Sequence, residues 1–176
     1  MDIKEIVENL AFISLKELKK KEILSTFDCK ESDIKDFLYN KALKFEERGV
    51  SRTYIFIDTL NQKVFGYFSL SHIPVETANL SKTKIKEIDG FSKERKCLNF
   101  FLIGQLGLDD QYRGFNVGTA LLDRAIDIIR EVSYQIGGRY ILVDAIKNEK
   151  VTDFYQNNGF VKLLEDKDTV KMIYKI

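Results

Sequence analysis

From Phe100 to Leu122 the chain reads FFLIGQLGLDDQYRGFNVGTALL, and this order constrains the fold more than any other stretch. The apolar run Phe100–Leu108 stops at Asp109 and Asp110. A short loop then carries Arg113, Gly114, Asn116 and Gly118, and a helical pattern begins at once. Strand, anion loop and helix in that order aim the unpaired N–H groups and partial positive charge of a helix N-terminus at a phosphate. Gly114 and Gly118 let the backbone approach a ligand, and Asn116 is the non-glycine residue that best tolerates a left-handed conformation. Gly114–Thr119 reads GFNVGT, one residue short of a P-loop and without its lysine, which argues against nucleoside-triphosphate hydrolysis. Gly104 and Gly107 fall inside the strand and make no dinucleotide fingerprint.

Upstream, Leu10–Leu15 reads as a first strand behind a short helical turn. Ile34, Phe37, Leu38, Lys41, Ala42 and Phe45 recur at three- and four-residue steps, which predicts an amphipathic helix with Ser32 to cap it and Gly49 to close it. Thr53–Asp58 and Lys63–Ser71 flank the polar Thr59–Gln62 and predict a hairpin that ends at Pro74. Val75–Lys96, with six basic and four acidic side chains, reads as a long polar loop. Leu98–Leu108 is expected to be buried on both faces as a central strand, with Gly107 marking a bulge or a point where a ligand nears the backbone.

Downstream, Val117, Leu121, Ala125, Ile128, Val132 and Ile136 predict the buried stripe of a helix that Gly137 and Gly138 terminate. Arg139–Ala145 follows as a buried strand, so strand, helix and strand make a parallel crossover. A helix over Glu149–Asn158, presenting Val151, Phe154 and Tyr155, then leads to an antiparallel pair, Phe160–Leu164 and Thr169–Tyr174.

Composition sets outer limits. A chain of 176 residues that is 44% hydrophobic suits one domain over residues 1–176. The formal charge of +1 supplies no global field for nucleic acid or a membrane surface, so a polyanionic partner has to be met by a local patch. Cys29 and Cys97 lie far apart with no metal spacing, which predicts reduced thiols and no metal site. The opening MDIKEIVENL lacks the apolar core of a signal peptide, and no run approaches the roughly 18 apolar residues of a membrane span. The expectation is a cytoplasmic protein that engages no membrane.

Arg113-Gly114-Phe115-Asn116-Val117-Gly118 resembles the acyl-CoA diphosphate loop of the GCN5-related N-acetyltransferases (GNAT), Gln/Arg-x-x-Gly-x-Gly/Ala, with Asn116 at a glycine position. Asn148–Phe160, NEKVTDFYQNNGF, resembles that superfamily's Asn-x-x-Ala-x-x-Phe-Tyr-x-x-x-Gly-Phe ending, with Val151 for alanine. Further upstream, Phe27-Asp28-Cys29, the helix from Ser32, Gly49–Tyr54 and Gly66-Tyr67-Phe68-Ser69-Leu70 resemble the small acetyltransferases that act as toxins in toxin–antitoxin pairs.

The resemblance implies an α/β GNAT fold: a central mixed twisted sheet with splayed parallel middle strands and helices on both faces. It implies acetyl-CoA as co-substrate, with Leu106, Gly107 and Leu108 at the thioester and Arg113, Gly114, Phe115, Asn116, Val117, Gly118 and Thr119 at the diphosphate. Asn148 would bond the pantetheine arm, and Tyr155 would be the general acid that protonates the departing thiolate. The implied acceptor is the α-amine of aminoacyl-tRNA, with an antitoxin as protein partner and a homodimer as assembly. A small amine or protein N-terminus is the alternative acceptor. A non-catalytic CoA-binding module is a further alternative, against which Tyr155 argues.

The residues themselves leave two roles open. Asn148 could equally be the N-cap of its helix, and Tyr155 a core aromatic with a satisfied hydroxyl. No carboxylate lies in Leu98–Leu108, where Gln105 is the polar side chain, so a general base is missing from the strand. At pH 7 an α-amine of pKa 7.7–8.0 is about one-tenth neutral, against a few parts in about ten thousand for lysine, so a site without a base suits an α-amine. His72, the one histidine, reads as a rim residue because no nucleophile-elbow motif accompanies it.

Overall fold

Alternating apolar runs hold together only when other layers cover them. The computed structural model describes residues 3–115 and 117–176. Among these, seven strands form one sheet: β1 (Leu10–Ser14), β2 (Arg52–Asp58), β3 (Lys63–Glu76), β4 (Cys97–Leu108), β5 (Tyr140–Ile146), β6 (Val161–Glu165) and β7 (Thr169–Lys175). Their spatial order is β1-β2-β3-β4-β5-β7-β6. β4 and β5 run parallel, pairing Phe101 with Ile141 and Leu102 with Leu142, while β1–β2, β2–β3, β5–β7 and β6–β7 are antiparallel. The chain thus has the mixed α/β sheet predicted from its sequence, with helix α5 (Val117–Ile136) connecting the parallel pair. Two compact units build it, one of residues up to Ser71 with Gly104–Ala125, the other of His72–Ile103 with Ile126–Ile176.

In the first unit, helices cover both faces of the sheet. Ile55, Val64 and Tyr67 pack under Phe37, Leu38 and Ala42, whereas Phe56 and Phe65 point the other way, to Ile6 of helix α1 (Ile3–Glu8) and to Val117 and Leu121 of α5. A bulge makes this possible: the register passes from Phe56↔Gly66 to Ile57↔Val64, so Phe65 is an extra residue on β3. Asp109, 1% exposed, fixes the end of β4. Its carboxylate accepts the N–H groups of Asp28 at 2.7 Å and Gln111 at 3.1 Å and lies 2.9 Å from Lys63 Nζ, while its own N–H donates to the Phe65 carbonyl.

The helix predicted from Ser32 is present with a change of winding. Helix α2 (Ser32–Asp36) passes through a π turn, Phe37–Lys41, into α3 (Ala42–Glu47). The wider turn carries Lys41 out to an ion pair with Asp36 at 2.8 Å, while Phe37, Leu38 and Ala42 stay inside. Ser32 lies within the helix, and the N-cap residue is Glu31, without a side-chain cap bond. Gly49 closes the helix as predicted: its φ is +69°, its N–H donates to Glu46, and Val50 N–H donates to Phe45.

In the second unit, part of the expected loop Val75–Lys96 is helix α4 (Lys82–Asp89). Ser81 caps it by accepting Lys84 N–H, Gly90 ends it at φ +86°, and Ile85 and Ile88 sit in a core with Leu98, Phe100, Tyr140 and Leu142. Pro74 does not end β3, which runs on to Glu76. The β2 ladder stops at Arg52↔Leu70, so no β2 partner needs the N–H that proline lacks.

β4 is not buried on both faces throughout, since Leu98 and Phe100 alternate with exposed Cys97 and Asn99; β5 is the strand whose first four residues are all buried. The stripe of α5 also differs, for it buries Leu121, Leu122, Ala125, Ile126 and Ile129 while Val132 and Ile136 face solvent. The expected positions advance by about 3.8 residues per turn and drift off a 3.6-residue face. Among the described residues no helix is long and apolar enough to cross a membrane.

Asp109→Ala removes a buried carboxylate and leaves two N–H groups and Lys63 without their acceptor. An expected loss of about 3 kcal/mol is measurable by urea denaturation.

Candidate active site

The site grows from the end of β4. Asp109 accepts Gln111 N–H and so starts a 3-10 turn, Asp110–Tyr112. Tyr112 is fully buried, and its hydroxyl donates to Asp58 at 2.8 Å. Burial and that carboxylate push its phenol far above the usual range. Asp58 also accepts N–H groups of Leu60 and Asn61, so one carboxylate holds the β2–β3 turn and the start of the anion loop together.

Arg113 follows in extended conformation, and Gly114 turns left-handed at φ +86°. A Cβ on Gly114 would meet nothing within 4 Å, so the backbone angle demands glycine, and the space beside it is open. Phe115 is exposed, and Val117 is buried against Phe65, Tyr112 and Leu121. Gly118 and Thr119 are half-buried in the first turn of α5, which holds no acidic side chain to cancel the positive helix end. Asn116 lies outside the described residues.

Arg113 lays its Nη atoms against the carboxylate of Glu31 and its Nε against Asp110. Burial raises the Glu31 carboxyl, but the hydrogen bond and charge of Arg113 outweigh it and hold the group below the usual range. Leu106 and Leu108 are half-buried against the cluster of Ile6, Phe65 and Tyr112. Gly107 is needed for a reason its sequence position does not disclose. A Cβ there would lie 2.6 Å from Ile34 Cγ2, 2.8 Å from Tyr67 Cε1 and 3.1 Å from Phe27 Cζ, so side chains crowd it.

The other residues singled out by sequence lie in the second unit on helix α6 (Glu149–Asn157). Asn148 is its N-cap, accepting Lys150 N–H at 3.0 Å through Oδ1, which leaves Nδ2 as its donor. Tyr155 is buried between the rings of Phe154 and Phe160. Burial pushes its phenol up to about 12. Among the described residues no protein group pairs with its hydroxyl, which is not one of the enclosed side-chain atoms left without a partner, so core packing and a part in the chemistry are both compatible with its position. The structure thus gathers the loop residues with Leu106–Leu108 in the first unit and Asn148 with Tyr155 in the second.

His72 is exposed. Buried Cys29 donates its thiol to the Glu31 carbonyl, and Cys97 is exposed. Two features escaped the sequence reading. Glu31 stands 82 positions from its arginine, with no local pattern to link them. A cleft lined by Lys16, Lys21, Arg48 and Arg52 collects cations from separate segments. Lys21 belongs to the run Lys19–Lys21, which in the sequence alone reads as a solvated face.

The sequence model of the Acetyltransferase (GNAT) family matches residues 21–160. The chain belongs to the GNAT acetyltransferase family. As a GNAT protein it is an N-acetyltransferase, and the family's acyl donor is acetyl-CoA. Among solved structures, AtaT complexed with acetyl-methionyl-tRNAfMet is 27% identical to this GNAT chain, with 93% of each chain covered and a TM-score of 0.76. A Tyr-to-Phe mutant of the toxin AtaT is 25% identical, covering 96% of this chain and 90% of that one at a TM-score of 0.75. A Tyr-to-Phe mutant of KacT, 22% identical with 95% of each chain covered and a TM-score of 0.76, shares the GNAT fold.

In this GNAT protein Gly107→Ala forces a methyl into Ile34 and Tyr67. It is expected to cost about 1–3 kcal/mol in thermal or chemical unfolding whether or not acetyl-CoA is present.

Proposed function

We propose that this GNAT enzyme transfers the acetyl group of acetyl-CoA to the α-amine of an aminoacyl group on charged tRNA. The observation that carries the reading is the likeness to AtaT, solved with acetyl-methionyl-tRNAfMet, over 93% of both chains at 27% identity. The cleft with Lys16, Lys21, Arg48 and Arg52 supports it. Glu46, one of its two acidic residues, is buried and engaged by Arg52 and Thr53 N–H, so the cations outnumber the remaining carboxylate, Glu47. A chain of net charge +1 can meet a phosphate backbone through such a local patch.

In this reading residues 1–176 work as one acetyltransferase domain. The loop of Gly114, Phe115, Asn116, Val117, Gly118 and Thr119, with Arg113 at its base, receives the diphosphate of acetyl-CoA at the positive end of α5. Backbone N–H groups of Leu106, Gly107 and Leu108 polarise the thioester carbonyl. Asn148 uses Oδ1 to cap α6 and offers Nδ2 to the pantetheine arm. The neutral α-amine attacks the carbonyl carbon, a C–N bond forms and the C–S bond breaks. Tyr155 gives its proton to the departing sulfur, and the proton lost by the amine passes to water, from which Tyr155 is reprotonated. A phenol raised to about 12 keeps that proton at neutral pH until the departing thiolate takes it. That AtaT and KacT were solved as Tyr-to-Phe mutants supports a tyrosine in this role. By the same likeness an antitoxin is a partner, since AtaT was solved bound to the C-terminus of the antitoxin AtaR. A homodimer and a cytoplasmic setting complete the proposal.

Release of free CoA from acetyl-CoA, with and without a mixture of charged tRNAs, tests the reading. Release that depends on charged tRNA supports it; equal release with amino-acid esters, small amines or peptides alone overturns it. Tyr155→Phe is expected to lower kcat about 100-fold with the KM for acetyl-CoA nearly unchanged. Because the raised phenol stays protonated while the α-amine loses its proton, kcat/KM should rise through about pH 8 and show no falling limb below about pH 10. A falling limb near pH 8 would remove Tyr155 as the acid.

A further inference from the structure

The arginine of the anion loop is already engaged. A guanidinium has three nitrogens, and in Arg113 all three face carboxylates, the two Nη on Glu31 and Nε on Asp110. One positive charge stands between two negative ones, so a diphosphate reaching this side chain would meet a neutralised cation, and recruiting it would leave Glu31 and Asp110 unpaired. The segment that carries Glu31 is also stitched to the loop by its backbone. Asp28 N–H donates to Asp109 at 2.7 Å, Asp110 N–H donates to the Asp28 carbonyl at 2.9 Å, and Cys29 Sγ donates to the Glu31 carbonyl at 3.3 Å. Arg113 is the residue immediately before left-handed Gly114, and whatever holds it sets the direction of the N–H groups that follow.

We propose that Arg113 is a positioning residue and not a diphosphate ligand: paired with Glu31, it clamps the segment ahead of α2 to the loop and thereby orients the loop N–H groups toward the diphosphate of acetyl-CoA. The proposal rests on the reading of this loop as the diphosphate site. Glu31 has no role in that site unless it acts through Arg113, which makes the pair separable from a direct contact.

Isothermal titration of acetyl-CoA into the wild-type chain, Glu31→Gln, Arg113→Gln and the double variant decides the matter, with melting temperatures to confirm that all four are folded. Each single variant is expected to weaken binding about fivefold and the double variant no further. The salt dependence of Kd should be the same for Arg113→Gln as for the wild type, since no contact between Arg113 and phosphate is lost. Unchanged or tighter binding by Glu31→Gln overturns the clamp, as does a flattened salt dependence in Arg113→Gln. A wild-type chain that fails to bind acetyl-CoA refutes the reading of the loop itself, whereas binding without these effects refutes the clamp alone.

Discussion

The buried carboxylate of Asp109 is the constraint on which the first unit depends. It sits where β4 stops, and it joins three pieces of chain: the start of β3 through Lys63, the segment before α2 through Asp28, and the turn toward α5 through Gln111. A charge so enclosed is tolerable only when its lone pairs are all engaged. The same logic repeats at Asp58, which holds the β2–β3 turn and receives Tyr112, and at Glu46, which holds Arg52 and Thr53 N–H. Three acidic side chains inside one unit act as fasteners for backbone that would otherwise be loop. The anion loop is rigid at its base because its first residues hang from two of them.

Much of this was legible beforehand. The strand, loop and helix around Arg113, the parallel pair, and the closing helix with Tyr155 all follow from local patterns whose period matches their structure. The Gly49 ending was legible too, because a left-handed residue after an amphipathic run has few alternatives to glycine. Helix α4 was hidden by composition: Ser81, Ile85, Ile88 and Gly90 carry the cap, the face and the stop, but lysines and glutamates between them read as loop. The π turn was hidden because hydrophobic spacing alone does not separate a widened turn from a regular one, and Lys41 was miscounted as a result.

At the site, the sequence disclosed residue types and order but not who holds whom. Gly107 illustrates this. A glycine in a strand signals close approach, yet only the packing of Ile34, Tyr67 and Phe27 shows what approaches. Asn148 was ambiguous between cap and ligand because one amide has both an oxygen that can cap a helix and a nitrogen that can donate elsewhere. The Glu31–Arg113 pair and the basic cleft arise from contacts between distant segments, which no window along the chain contains.

The extra residue at Phe65 reverses the parity of β3. On one side of it even-numbered residues face α2 and α3, and on the other side odd-numbered ones do, as Val64 and Tyr67 show by sharing a core. A strand that is out of phase with itself presents two consecutive residues, Phe65 and Gly66, to the same layer, and Leu121 of α5 rests close above the second. The bulge therefore works as a vernier: it lets the spacing of the α2–α3 layer be set independently of the seat of α5, so the helix that opens the anion loop can be placed without disturbing the opposite face.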